Sequence, residues 1–297
     1  MATLATSGGW SSIKELVLDS DDDDIKPLSL MEAEDVSNFI LQSENLRTLS
    51  LEVSEDQAGP MMEALSRTKV QSLKIFFNST LSLQNGGRQL ASALEKCTCI
   101  TELLIGFPFS IGQAEVIQIL FLEAIPKMLG LKKLELDIYG HHDDEGFFDM
   151  VGQCIGGHQG DIEELRIRFP RWSSVSHKSI VGLAPALRRL KVVRCYSGLI
   201  TQQIGELSGI AADCDTLEEF WCDLDDIKST DDFKNICHFL STFPSLKRVT
   251  KERVGREVVE LREESRFVAF LKMVETSKTI EQVPRSNAAM LKRMKLP

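Results

Sequence analysis

The chain has 297 residues, 43% of them hydrophobic and 26% charged, with a formal net charge of −10. That balance is ordinary for a folded globular protein and argues against a general nucleic-acid binder, which needs a basic stripe. The first residues carry no basic-then-apolar leader, no run approaches the ~18–20 apolar residues of a membrane span, and the seven scattered cysteines form no C-x-x-C pair, so an intracellular chain (cytoplasmic or nuclear) with free thiols is expected.

One form organises the chain. It is L-x-x-L-x-L, complete in Leu131-Lys-Lys-Leu-Glu-Leu136. Aligned on its first apolar position, ten copies begin at Ile13, Leu46, Val70, Ile100, Leu131, Ile162, Leu187, Leu217, Leu246 and Ile280, spaced 24 to 34 residues apart. Positions 4 and 6 lie two apart and so share one face of a strand, while positions 3, 5 and 7 take the other. A strand repeating at this period, with room for a helix between copies, predicts a parallel sheet lined by helices.

The intervals carry helix signals in turn. Ser29-Leu-Met-Glu32 is a capping box, followed by Val36, Phe39 and Ile40 at helical spacing. Ser110-Ile-Gly-Gln113 is a second box, leading into Val116, Ile117, Leu120 and Ile125 before Pro126. Phe147, Phe148, Val151 and Ile155 form a stripe that Gly156-Gly157 should end. Asp231-Asp232 sit where acids favour a helix start, ahead of Phe233, Ile236, Cys237 and Leu240. The 24- and 25-residue spacings predict short helices after Leu46 and Ile162, and Pro284 stops the last copy, as suits an edge strand.

The pattern resembles the leucine-rich repeat, in its ribonuclease-inhibitor-like form with long, helix-containing units. The resemblance covers about residues 13–283, between an N-terminal tail (1–12) and a basic C-terminal tail (284–297) bearing Arg285, Lys292, Arg293 and Lys295. It implies an α/β solenoid, a horseshoe of about ten units with a concave parallel sheet and convex helices. The chain departs from the family at position 9, where the usual Asn or Cys is matched only by Asn78 and Cys195. Irregular loops and uneven curvature are expected there, because backbone groups must find other partners.

In this frame positions 2, 3, 5 and 7 face solvent. From the fifth copy, positions 2 and 3 read Lys132-Lys133, Glu163-Glu164, Arg188-Arg189, Glu218-Glu219 and Lys247-Arg248. Position 5 sets Glu135 beside Arg166, and position 7 sets Asp137 beside Arg168. Two readings stand: a charged recognition surface, or a self-neutralising ladder of cross-strand pairs that fixes register. Trp221, at position 5, is placed beside Lys191 with Arg194 near. Leu104 and Phe76 lie on adjacent strands as exposed apolar residues. The expected partner-binding set is therefore Phe76, Leu104, Arg166, Arg168, Lys191, Arg194 and Trp221. Position 8 gives Phe77, Phe107, Ile138 and Phe169; alternation points this row into the core, and the other reading is an apolar binding stripe.

Chemistry-bearing motifs are missing from the sequence. There is no Gly-rich phosphate loop, nucleophile elbow or paired-carboxylate motif. His141-His142-Asp143-Asp144 and Asp21–Asp24 read as solvated loops rather than metal sites, and Cys97-x-Cys99 as thiols at a helix end rather than a redox pair. The expectation is a non-enzymatic, monomeric protein- or peptide-binding scaffold, without cofactor, metal, nucleic acid, membrane or small-molecule substrate. The alternative is a regulator of an enzyme, a GTPase activator or protein inhibitor, with Arg171 beside Trp172 as the one arginine finger to name.

Overall fold

The computed structural model describes residues 12–18, 30–53, 61, 63–77, 86–108, 118–139, 146–168, 182–198, 213–223, 243–246 and 248–251. These form two compact units. The first comprises residues 1–142 with 157–162 and 169–173; the second comprises 143–156, 163–168 and 174–297. The fold is α/β, and every strand pairing within each unit is parallel.

In the first unit five strands follow chain order: β1 (Glu15–Leu18), β2 (Thr48–Val53), β3 (Ser72–Phe77), β4 (Glu102–Pro108) and β5 (Lys133–Tyr139). Between them run α1 (Leu30–Gln42), α2 (Gly86–Lys96), a π-helical turn at Leu120–Ala124 and a 3-10 turn at Ile125–Lys127. The π-helical turn begins two residues after the described helix starts at Gln118, and Pro126 sits in the 3-10 turn that closes it. Proline cannot donate to the helical ladder, so the stretch tightens and stops there.

The second unit holds α3 (Phe147–Gly157), β6 (Glu164–Arg168), a single turn α4 (Ala184–Leu187), β7 (Val192–Gly198), β8 (Glu219–Asp223) and β9 (Arg248–Lys251). The Phe147 stripe is helical and ends at Gly157, with Phe147, Phe148, Val151, Cys154 and Ile155 buried. Its packing is unusually close. A Cβ on Gly152 would stand 1.8 Å from the carbonyl oxygen of Gly182, and one on Gly156 would stand 2.9 Å from Cβ of Pro185. Gly152 and Gly156 are one helical turn apart, so a bare stripe of α3 lies on the start of α4.

The apolar positions of the repeat are the core. Leu46, Val70, Ile100, Leu131, Ile162, Leu217 and Leu246 at position 1 are all buried, as are Leu49, Leu73, Leu103, Leu134, Leu165 and Phe220 at position 4. Position 8 points inward at Phe77 and Ile138, both buried; for Phe107 and Phe169 the row lies outside the described side chains. Period-2 alternation is what carries positions 4, 6 and 8 to one face.

One backbone device recurs at six of the described strand entries. The carbonyl of position 2 accepts hydrogen bonds from the N–H groups of positions 2 and 3 in the next copy. Lys14, Arg47, Gln71 and Thr101 do this in the first unit, Glu163 and Lys191 in the second, each time with one bond of 2.8 Å and one of 3.0 Å. This satisfies two donors that the turn before the strand would otherwise leave without partners.

That device corrects the seventh copy. Its position 1 is Leu190, not Leu187, because Lys191 and Val192 donate to Glu163 and the register pairs Leu165 with Val193 and Arg166 with Arg194. Leu187 is instead the last residue of α4. Three consequences follow. Cys195 takes position 6, opposite Ile167 and Cys222, and is no longer a position-9 match. The flanking spacings become 28 and 27 residues. Arg188 and Arg189 leave the sheet: Arg188 pairs with Asp213 at 3.3 Å, and Arg189 donates from Nη1 to the carbonyls of Ile155 and Gly156 at 3.1 and 3.2 Å, capping α3. A guanidinium suits that place, since the last carbonyls of a helix are without intrahelical donors and carry the negative end of its dipole.

The capping box at Ser29 to Glu32, the helix signals at Ser110–Gln113 and Asp231–Leu240, the Pro284 edge and the basic tail concern residues or side chains outside the described set.

Candidate functional site

The outward face of β6, β7 and β8 carries the densest set of fixed charges among the described strands. Glu164 and Arg166 stand two apart on β6, hence on one face. Arg166 donates from Nε to Glu164 Oε1, and Arg194 on β7 brings its own Nε to within 3.7 Å of that same oxygen. Arg194 Nη2 reaches Glu219 Oε1 on β8 at 3.4 Å. The result is a zigzag, Arg166–Glu164–Arg194–Glu219, whose members are all largely shielded from solvent.

The predicted ladder put Arg189 between Glu164 and Glu219 at position 3. Val192 fills that register position. Arg194, two residues on, reaches back between the two carboxylates and supplies the charge instead. At position 2 the alternation survives with a different cation: Lys191 Nζ lies 3.1 Å from Glu163 Oε2.

The expected set of seven residues is only partly brought together. Arg166, Arg194 and Trp221 share one register row across three strands, with Thr250 of β9 next to Trp221. Trp221 therefore stands beside Arg194, not beside Lys191 as the shifted frame required. Arg168 is exposed at the end of β6. Lys191 is exposed at the entry to β7, three residues before the Arg194 row.

Phe76 and Leu104 belong to the first unit and differ from expectation. Phe76 is half-buried, because its ring lies over the bare backbone of Gly106 on β4: a Cβ there would meet the ring at 2.4 Å. Leu104 is 8% exposed, not the exposed apolar residue that was expected. Its register neighbours, Lys74 and Glu135, flank it on both sides. Val17 at the same row of β1, with β2 alone as a described neighbour, is 55% exposed. Strands lie ~4.8 Å apart, so longer side chains on both sides screen an interior residue even on the outward face. Ser50 and Glu135 in this row are also buried, and Lys133 Nζ stands 3.9 Å from Glu135 Oε2.

His158 went unremarked in the sequence and is 2% exposed. Its Nδ1 accepts from Gly160 N–H at 3.0 Å, which places the ring proton on Nε2, 3.2 Å from the carbonyl of Met128. It staples one turn to the preceding one. The available signal was its place near position 1 of the sixth copy, where Cys97 and Met128 precede their own strands.

Three buried thiols, Cys97, Cys154 and Cys214, are held in the protonated form. Burial pushes Cys154 up to about 12 and Cys214 up to about 11, and burial with Cys99 beside it pushes Cys97 up to about 11. Cys97 Sγ lies 3.2 Å from the carbonyl of Ala93 at the end of α2, while Cys99 is exposed. A nucleophilic cysteine needs the opposite shift. No group of three or more His, Cys, Asp or Glu side chains gathers as a metal site among the described residues, and no described helix is long and apolar enough to cross a membrane. His141–Asp144, Asp21–Asp24, Arg171 and Trp172 lie outside the described residues. No family model matches the chain, and no curated protein matches it.

Proposed function

We propose that the chain is a leucine-rich-repeat solenoid of the ribonuclease-inhibitor-like type that works without catalysis, holding a protein or peptide partner on the outward, concave face of its parallel sheet. The repeated strand entry, with one carbonyl serving two donors at a constant place in the unit, supports the repeat reading.

The Arg166–Glu164–Arg194–Glu219 zigzag carries the binding reading. It fixes long side chains before any partner arrives, so less side-chain freedom is lost on binding. Its row continues into Trp221. Arginine and tryptophan are the residue types that most often dominate binding energy.

Affinity capture from native lysate tests this. The double substitution Trp221→Ala with Arg166→Ala should remove a partner that the wild-type chain retains. Equal recovery by both proteins would exclude this face as the binding surface.

A further inference from the structure

On the scaffold reading above, we infer that the partner presents an acidic peptide segment, whose carboxylates compete with Glu164 for the arginines of β6 and β7.

Arg166 and Arg194 are in-register neighbours on adjacent strands, and both turn their Nε toward a single oxygen, Glu164 Oε1. Two guanidiniums converging on one carboxylate oxygen form a carboxylate site that the protein fills with its own side chain. Arg168, one step along the same face of β6, is exposed and adds a third guanidinium toward the strand end. The acids lie on the entry side of this group, at Glu163, Glu164, Glu218 and Glu219. At the strand entries these acids flank Lys191, while the charged side chains beyond Glu164 on β6 and β7 are all arginines: Arg166, Arg168 and Arg194.

Among the described residues of the first unit, the row at the same position of the form reads Val17, Ser50, Lys74, Leu104 and Glu135, with no arginine. The chain as a whole is at −10, so an acidic peptide is repelled at long range and a local site must hold it. Carboxylates match guanidinium forks in geometry, and exchange with Glu164 keeps both arginines paired throughout.

The test is fluorescence anisotropy with a short fluorescein-labelled peptide of alternating glutamate and alanine, against the same peptide with lysine for glutamate. The wild-type chain should bind the glutamate peptide and not the lysine peptide. Glu164→Gln removes the internal competitor and should tighten binding about tenfold. Arg168→Glu and Arg194→Gln should each weaken it about tenfold or more. Equal binding of the lysine peptide, no binding of the glutamate peptide, or an unchanged affinity in Glu164→Gln would each overturn the inference. If the glutamate peptide fails while the Trp221/Arg166 double variant still loses its captured partner, the carboxylate chemistry is wrong and the scaffold reading stands. If that double variant keeps its partner, the scaffold reading itself falls.

Discussion

Single atoms set hard limits at two residues. Gly152 leaves no room for a methyl group, because the atom it would meet, 1.8 Å away, is a backbone oxygen of Gly182 that cannot swing aside. Gly152→Ala should therefore destabilise the chain by about 3 kcal/mol or more in urea unfolding, against a helix propensity that favours alanine. A neutral result would mean that α3 and the Gly182 turn separate readily. His158→Ala removes one acceptor and one donor from a buried place and leaves Gly160 N–H and the Met128 carbonyl without that ring. About 2–3 kcal/mol of lost stability is expected, and His158→Gln should restore part of it. A melting temperature that does not move would show that water replaces the ring.

At the scale of elements, the strands are held by a common entry geometry and joined by charge. The zigzag on β6 to β8 is neutral, and its Glu164 faces two cations. Glu164→Lys sets a third cation among them, so a loss of about 1–3 kcal/mol is expected, shrinking as salt is raised. A melting temperature unchanged at low salt would remove the zigzag as a stabilising element. The helix α3 has its own external cap in Arg189. Arg189→Ala should cost about 1 kcal/mol and increase amide exchange in the last turn of α3 before it affects β6. The Arg189 prediction depends on the corrected place of the seventh copy. In the shifted frame, Arg189→Ala would instead weaken the sheet.

For the molecule as a whole, the buried thiols tie stability to alkaline pH. Cys97, Cys154 and Cys214 all have folded values above the ordinary 9.0, so the unfolded chain releases their protons first. Their contribution is complete below about pH 9 and is lost as pH rises toward their folded values of about 11–12. Urea midpoints taken from about pH 8 to about pH 11 should fall along this course, and Cys154→Ala should flatten the fall. An identical pH slope in that variant would mean that other groups govern the alkaline limit.

The sequence by itself determined the described strands other than the seventh, and the residues they bury. Apolar residues at positions 4 and 6 stand two apart in each copy, after an apolar position 1, and hydrophobic burial follows that pattern wherever the strand sits. It also determined α3, since the Phe147 stripe and its terminal glycines signal one helix and its end. The tertiary structure alone decided the register of the seventh copy. The stretch Leu187-Arg-Arg-Leu-Lys-Val-Val-Arg-Cys195 fits the repeat from Leu187 and again from Leu190, because both frames bury apolar residues at the same positions of the form. Only the donors and acceptors of the neighbouring strand distinguish them, and they select Leu190. That shift of three residues moved Arg188 and Arg189 off the sheet, set Trp221 beside Arg194 and replaced a predicted ladder with a zigzag. Side-chain shielding on the outward face was equally out of reach of the sequence: whether Leu104 is an anchor depends on Lys74 and Glu135, which lie about 30 residues away in the chain and adjacent only across the sheet.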